Sequence, residues 1–192
     1  MGENPGSDVS DTDLDLTTIA LAPKSLMSST SYSRQLLAQQ SFDVEALVRA
    51  DLALIHALAI DKAAIHGSGS SNQPTGIYAA GSVNSKAMGG AVAFGELVDM
   101  ATEVALDNAL MGSTGYVTSP GMAGKLMQVL EASSAGSKMI WVGTHAEGNV
   151  AGYKAMATNQ VSKVMTGSTE TGGVEYGIVF GNWADLYIGT WG

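Results

Sequence analysis

Residues 43–76 read DVEALVRADLALIHALAIDKAAIHGSGSSNQPTG, and this stretch decides the fold. From Asp43 to His66 there is neither glycine nor proline, and alanine, leucine and isoleucine dominate. Such a run predicts one helix over 43–66, about 24 residues and on the order of 36 Å long. Ser41 or Asp43 can cap its start, and Asp43 and Glu45 suit the positive end of the helix dipole. Gly67 stops it as the residue after the C-cap. On a helical wheel Glu45, Arg49 and His56 share a polar stripe. Val44, Leu47, Val48, Leu52, Leu54, Ile55, Leu58 and Ile65 cover about half the circumference. A rod with that much apolar surface requires burial on more than one side.

Working outward, residues 31–40 predict a short helix before the rod, and residues 16–26, rich in β-branched and apolar side chains, predict a strand with Pro23 at an edge or end. Glu3, Asp8, Asp11, Asp13 and Asp15 precede that strand without a single cation. So acidic a segment buries little and reads as the tip of an extended arm. Downstream, Phe94, Leu97, Val98, Ala101, Val104 and Ala105 mark an amphipathic helix ending near Gly112. A short strand follows at 115–119. Ser119 and Pro120 then supply the N-cap and first position of a helix carrying Leu126, Met127, Val129 and Leu130. Strands are predicted at 139–142, 150–153, 155–158, 174–180 and 185–190, so the class is α+β.

The 192 residues, 45% hydrophobic, suffice for a packed core. The lack of cysteine excludes a disulfide framework and any thiolate metal site, and an intracellular origin is expected. The first residues carry no basic, apolar leader, and charges interrupt the long helix, which argues against membrane insertion. The net charge is −9, and the nine cations, including only Arg34 and Arg49 as arginines, are scattered singly. That pattern disfavours specific nucleic-acid binding.

Candidate chemistry is sparse. The loop at 67–76 has glycines that could cradle a phosphate, but its spacing is not that of a P-loop, and it follows a helix instead of opening one. A structural turn is the better reading. Asp11, Asp13 and Asp15 alternate like the start of a calcium loop, yet Leu16 and Ala22 stand where the turn glycine and bidentate glutamate belong. His56, His66 and His145 form no metal-ligand spacing, and no Gly-x-Ser-x-Gly occurs. A Ser–His pair assembled from distant residues keeps a serine-dependent hydrolase as an alternative. Trp141, Tyr153, Trp183, Tyr187 and Trp191 read as core anchors and subunit contacts. No catalytic, cofactor-binding or metal-binding residues are assigned, and no enzymatic activity is expected.

Several blocks in order carry a family likeness. They are LLAQQSFDVE at 36–45, IDKAAIHGSG at 60–69, QPTGI at 73–77, GYVTSP at 115–120, AMATNQV at 155–161 and VFGNWADL at 179–186. Together they resemble the major capsid (head) protein family of tailed bacteriophages and prophages. The resemblance implies that family's α+β capsid fold, with a long spine helix and a mixed sheet flanked by helices. By it, residues 1–24 are the distal and returning part of the E-loop, 25–85 a P-domain portion with its spine helix at 43–66, and 86–192 the A-domain. It also implies a truncated form, because the family has an outgoing arm before residue 1 and further P-domain strands after Trp191. With no lysine before Lys24, the E-loop cross-linking of some relatives is not carried over.

The implied function is a structural subunit of an icosahedral shell, self-assembling into pentamers and hexamers around double-stranded DNA. It would touch the DNA only non-specifically, be built in the bacterial host cytoplasm and reside in the virion. A scaffolding protein and a portal are implied partners, a membrane is not, and no cofactor is. The acidic tip (Glu3, Asp8, Asp11, Asp13, Asp15) is the expected contact with a neighbouring subunit. An encapsulin-like nanocompartment shell is the alternative within the same fold.

Overall fold

A computed structural model describes residues 20–39, 43–81, 83–86, 88, 90, 92–134, 136–163, 165–166, 169–170 and 175–191. The helices are α1 (Arg34–Gln39), α2 (Val44–His66), α3 (Phe94–Leu106) and α4 (Pro120–Leu126). The strands are β1 (Thr114–Thr118), β2 (Val142–Gly143), β3 (Gly148–Val150), β4 (Tyr153–Ala157), β5 (Met165–Thr166), β6 (Thr169–Glu170) and β7 (Ile178–Asn182). Short 3-10 turns at Ile77–Ala79 and Trp183–Asp185 follow α2 and β7. The class is α+β, as the sequence implied.

Local chemistry explains the helix starts. The Asp43 carboxylate accepts from the Ala46 N–H at 3.1 Å, and Arg49 pairs with Glu45 one turn on. In α3, Glu96 reaches back to the Ala93 N–H at 3.2 Å. At α4, the Ser119 hydroxyl accepts from Met122 and Pro120 opens the helix.

Gly67 ends α2 for a reason other than the expected one. Its φ of −56° is accessible to any residue, so no left-handed cap is formed. Instead the returning chain passes so close that a Cβ here would lie 2.2 Å from the Pro74 carbonyl oxygen. Glycine is required by proximity.

The main sheet has the order β2-β3-β4-β1-β7, with β1 and β4 parallel and every other pair antiparallel. Tyr116 lies opposite Ala155 and Phe180, so these three share one face; Val117, one residue on, turns to the other. On the first face Leu97 and Ala101 of α3 and Met122, Ala123 and Leu126 of α4 close over Tyr116, Ala155 and Phe180, with Ile140, Trp141 and Val150 completing the core. The Tyr116 hydroxyl donates to the Leu97 carbonyl at 2.7 Å, fastening α3 to the central strand. On the second face Val117 packs with Ile65 from the last turn of α2 and with Val161, flanked by Tyr78 and Trp183. The sheet is thus covered by α3 and α4 on one side and met by the tail end of α2 on the other.

Several expected strands differ. Residues 151 and 152 form the turn between β3 and β4, with φ of 50° and 85°. Residues 20–26 contain no strand, and 16–19 lie outside the described residues. At 139–142 only the last residue enters β2; Met139 makes a single bridge to Leu130. Helix α3 stops at Leu106 and α4 at Leu126, each short of expectation. After Trp183–Asp185 the chain runs through 186–191 outside any sheet.

Candidate subunit interface

The rod α2 is covered along one side only. Val48, Leu52, His56, Ala59 and Ala63 are half-buried, whereas Leu47, Leu54, Ile55, Leu58 and Ile60 are exposed, Leu47 and Leu54 at 59% and 58%. Only Val44 and Ile65, at the two ends, are fully buried. Segment 20–33 is tied by polar contacts to the rod and to the loop after it. The Asn72 amide donates to the Ser25 carbonyl at 3.1 Å, and Ser28 Oγ lies 2.6 Å from His56 Nε2. The same segment exposes Leu21, Leu26 and Met27, and near Leu21 the stretch 186–191 exposes Tyr187, Ile188 and Trp191. Exposed leucines along a helix, with further apolar side chains bare on these two segments, are characteristic of surface made to be covered by protein.

The far end of α2 is joined to the sheet module by His66. Its Nε2 accepts the Ser162 N–H at 2.9 Å, and its ring stacks on Tyr78 with centroids 4.7 Å apart. Among the described residues the Tyr78 hydroxyl is buried without a hydrogen-bond partner, and burial pushes its pKa up to about 12.

The loop at 67–76 is a closed structural turn. Gly76 N–H donates to the Gly67 carbonyl at 2.8 Å and Gly69 N–H to that of Pro74 at 3.1 Å. The Ser68 and Ser70 N–H groups donate to Gln73 and Ser68 side-chain oxygens. These four donors, which an anion would need, are therefore engaged inside the loop.

Ser28 and His56 are a Ser–His pair joined through the serine hydroxyl, whereas Ser162 meets His66 through its backbone N–H. Ser28 is exposed and His56 half-buried, and among the described residues no carboxylate orients His56. A nucleophile needs both an orienting group and an oxyanion site, so here the bond serves as a tether. The three histidines are held apart: His56 by Ser28, His66 by Ser162, and His145 beside β4 through its carbonyl and Ala157. Among the described residues no three candidate ligands stand close enough to hold a metal, and no helix is long and apolar enough to cross a membrane.

Glu3, Asp8, Asp11, Asp13 and Asp15, the expected acidic contact, lie outside the described residues, as does most of the calcium-like stretch. Sequence reasoning missed the Ser28–His56 and His66–Ser162 contacts, whose partners lie 28 and 96 residues apart. No local pattern signals either.

A helix rod with an uncovered apolar side, joined by its end to a helix-covered mixed sheet, defines a structural class of α+β protein with apolar surface left bare. The chain belongs to the Phage capsid family, which it matches over residues 2–192. It is 33% identical over 191 residues to the major capsid protein of Halomonas phage phiHAP-1, an alignment that covers all of this chain and 28% of that protein. The chain thus spans little more than a quarter of the length of that relative.

Proposed function

We propose that this chain is a wall-building part of a phage major capsid protein, whose copies assemble into pentamers and hexamers of an icosahedral shell around double-stranded DNA. The observation that carries this reading is the family match along essentially the whole chain. The exposed apolar side of α2 supports it, because a subunit that works by lattice contacts needs surface reserved for neighbours. On this reading residues 1–24 are the E-loop, 25–85 belong to the P-domain and 86–192 form the A-domain. The acidic residues from Glu3 to Asp15 lie on a neighbour, contact with DNA is non-specific, and the role is structural with no catalysis.

Electron microscopy of the protein expressed from its complete reading frame tests this. Closed icosahedral particles are the expected result. A small discrete species, or particles that copurify with an enclosed enzyme in place of DNA, would overturn it.

A further inference from the structure

Helix α3, the β3–β4 turn and the chain around residue 131 enclose an open groove of about 450 Å³. Phe94, Val98, Leu110, Ala151 and Tyr153 make its walls apolar, and Glu131 is the one ionisable carboxylate in the lining. Glu131 is half-buried, and among the described residues neither a cation nor a hydrogen-bond donor meets its side chain. A carboxylate held beside apolar walls without a partner favours a ligand that brings a cation together with apolar bulk.

The chain itself exposes such a ligand. Lys24 is exposed and unpaired among the described residues, and it stands just before Leu26 and Met27, which are 49% and 88% exposed. The three residues lie outside any helix or strand.

We propose that the α3 groove seats residues 24–27 of a second copy of this chain, with Lys24 paired to Glu131 and Leu26 and Met27 against the apolar walls. The two halves of the contact stand on different sides of the molecule. Segment 20–33 is tied to α2, which meets the sheet on the Val117 face, whereas the groove lies on the Tyr116 face. Each copy therefore offers a donor segment on one side and an acceptor groove on the other. That contact is head-to-tail, and it propagates into a ring or an open lattice instead of closing as a pair. The inference deepens the shell reading by naming the occupant of one face.

Sedimentation equilibrium of this chain, with Lys24→Glu, Glu131→Lys and the double exchange, is the test. Lys24 is exposed and Glu131 half-buried in an open groove, and circular dichroism of each variant checks that it folds before association is read. The unsubstituted chain self-associates, each single reversal weakens association by about tenfold, and the double exchange returns it to within about threefold. A monomeric parent, single variants that associate unchanged, or a double exchange as weak as the singles would overturn the proposal. In the complete protein the two ideas fail separately. Normal particles from Glu131→Lys would remove the groove contact and leave the shell, whereas no particles from the unsubstituted protein would remove the shell reading itself.

Discussion

His66 and Ser162 are joined by a 2.9 Å hydrogen bond in which the Ser162 backbone N–H donates to Nε2 of the imidazole. The bond connects the last turn of the rod to the loop after β4, and Ser162 is buried. His66→Ala removes both the acceptor and the ring stacked on Tyr78. It is expected to cost about 2 kcal/mol, the usual penalty for losing a buried hydrogen-bond partner together with its packing. Urea unfolding measures this; a loss below about 0.5 kcal/mol would show that the joint holds without His66.

Alkaline pH attacks two buried phenols. Burial pushes Tyr116 and Tyr78 up to about 12 from 10, and for Tyr116 the neighbouring Tyr153 adds to the shift. Both folded-state pKa values are raised, so the stability they contribute is complete below pH 10 and is lost as pH rises through 12. Phenolate absorbance followed with circular dichroism should show these tyrosines ionising together with unfolding. Tyr78→Phe should leave stability in neutral buffer unchanged or raise it by about 1 kcal/mol, because the hydroxyl it deletes is unsatisfied.

Gly67 and Gly76 tolerate no side chain. A Cβ on Gly76 would stand 2.4 Å from the Gly67 nitrogen and 2.7 Å from the Ile65 carbonyl oxygen, and these backbone atoms have no rotamer to change. Gly67→Ala and Gly76→Ala are each expected to destabilise by about 2 to 3 kcal/mol, read from thermal unfolding. Gly81→Ala, with open space around its position, is the control and should stay within about 0.5 kcal/mol.

How much of this was legible in the sequence depended on range. The caps at Asp43 and Ser119 were readable because each is completed within three residues. The α3 stripe was readable because one face of that helix meets a single core. The β3–β4 turn was not, since Ala151 adopts a left-handed conformation where composition suggests a strand. Residues 185–190 were misread for the opposite reason: leucine, tyrosine and isoleucine favour a strand, but a strand exists only when another pairs with it. The joint at His66, the Ser28 tether and the groove around Glu131 depend on contacts far apart in the chain. The expected acidic contact from Glu3 to Asp15 lies outside the described residues.

The exposed leucines of α2 should separate stability from assembly. Leu54→Glu with Leu58→Glu replaces side chains that are 58% and 42% exposed, so the fold of this chain should change by less than about 1 kcal/mol. The pair should reduce binding of an apolar dye by this chain and abolish particles from the complete protein. Loss of the fold in this chain, or unimpaired particles, would contradict the assignment of that side to neighbours.

Ser28 should behave as an ordinary alcohol despite its 2.6 Å approach to His56. A fluorophosphonate probe is expected to leave it unlabelled at neutral pH, and Ser28→Ala to shift stability by less than about 1 kcal/mol. Stoichiometric labelling of Ser28 would revive the hydrolase alternative.

The 23 residues of α2 make a rod of about 34 Å whose final turn is seated among Val117, Val161 and Tyr78. Anything that tilts that seat is amplified with distance. A rotation of about 10° around Ile65 carries Val44, at the other end of the helix, through about 5.5 Å, the pitch of one helical turn. Repacking by about 1 Å beside a histidine and a tyrosine thus translates, at the other end of the rod, into the displacement of a whole side chain.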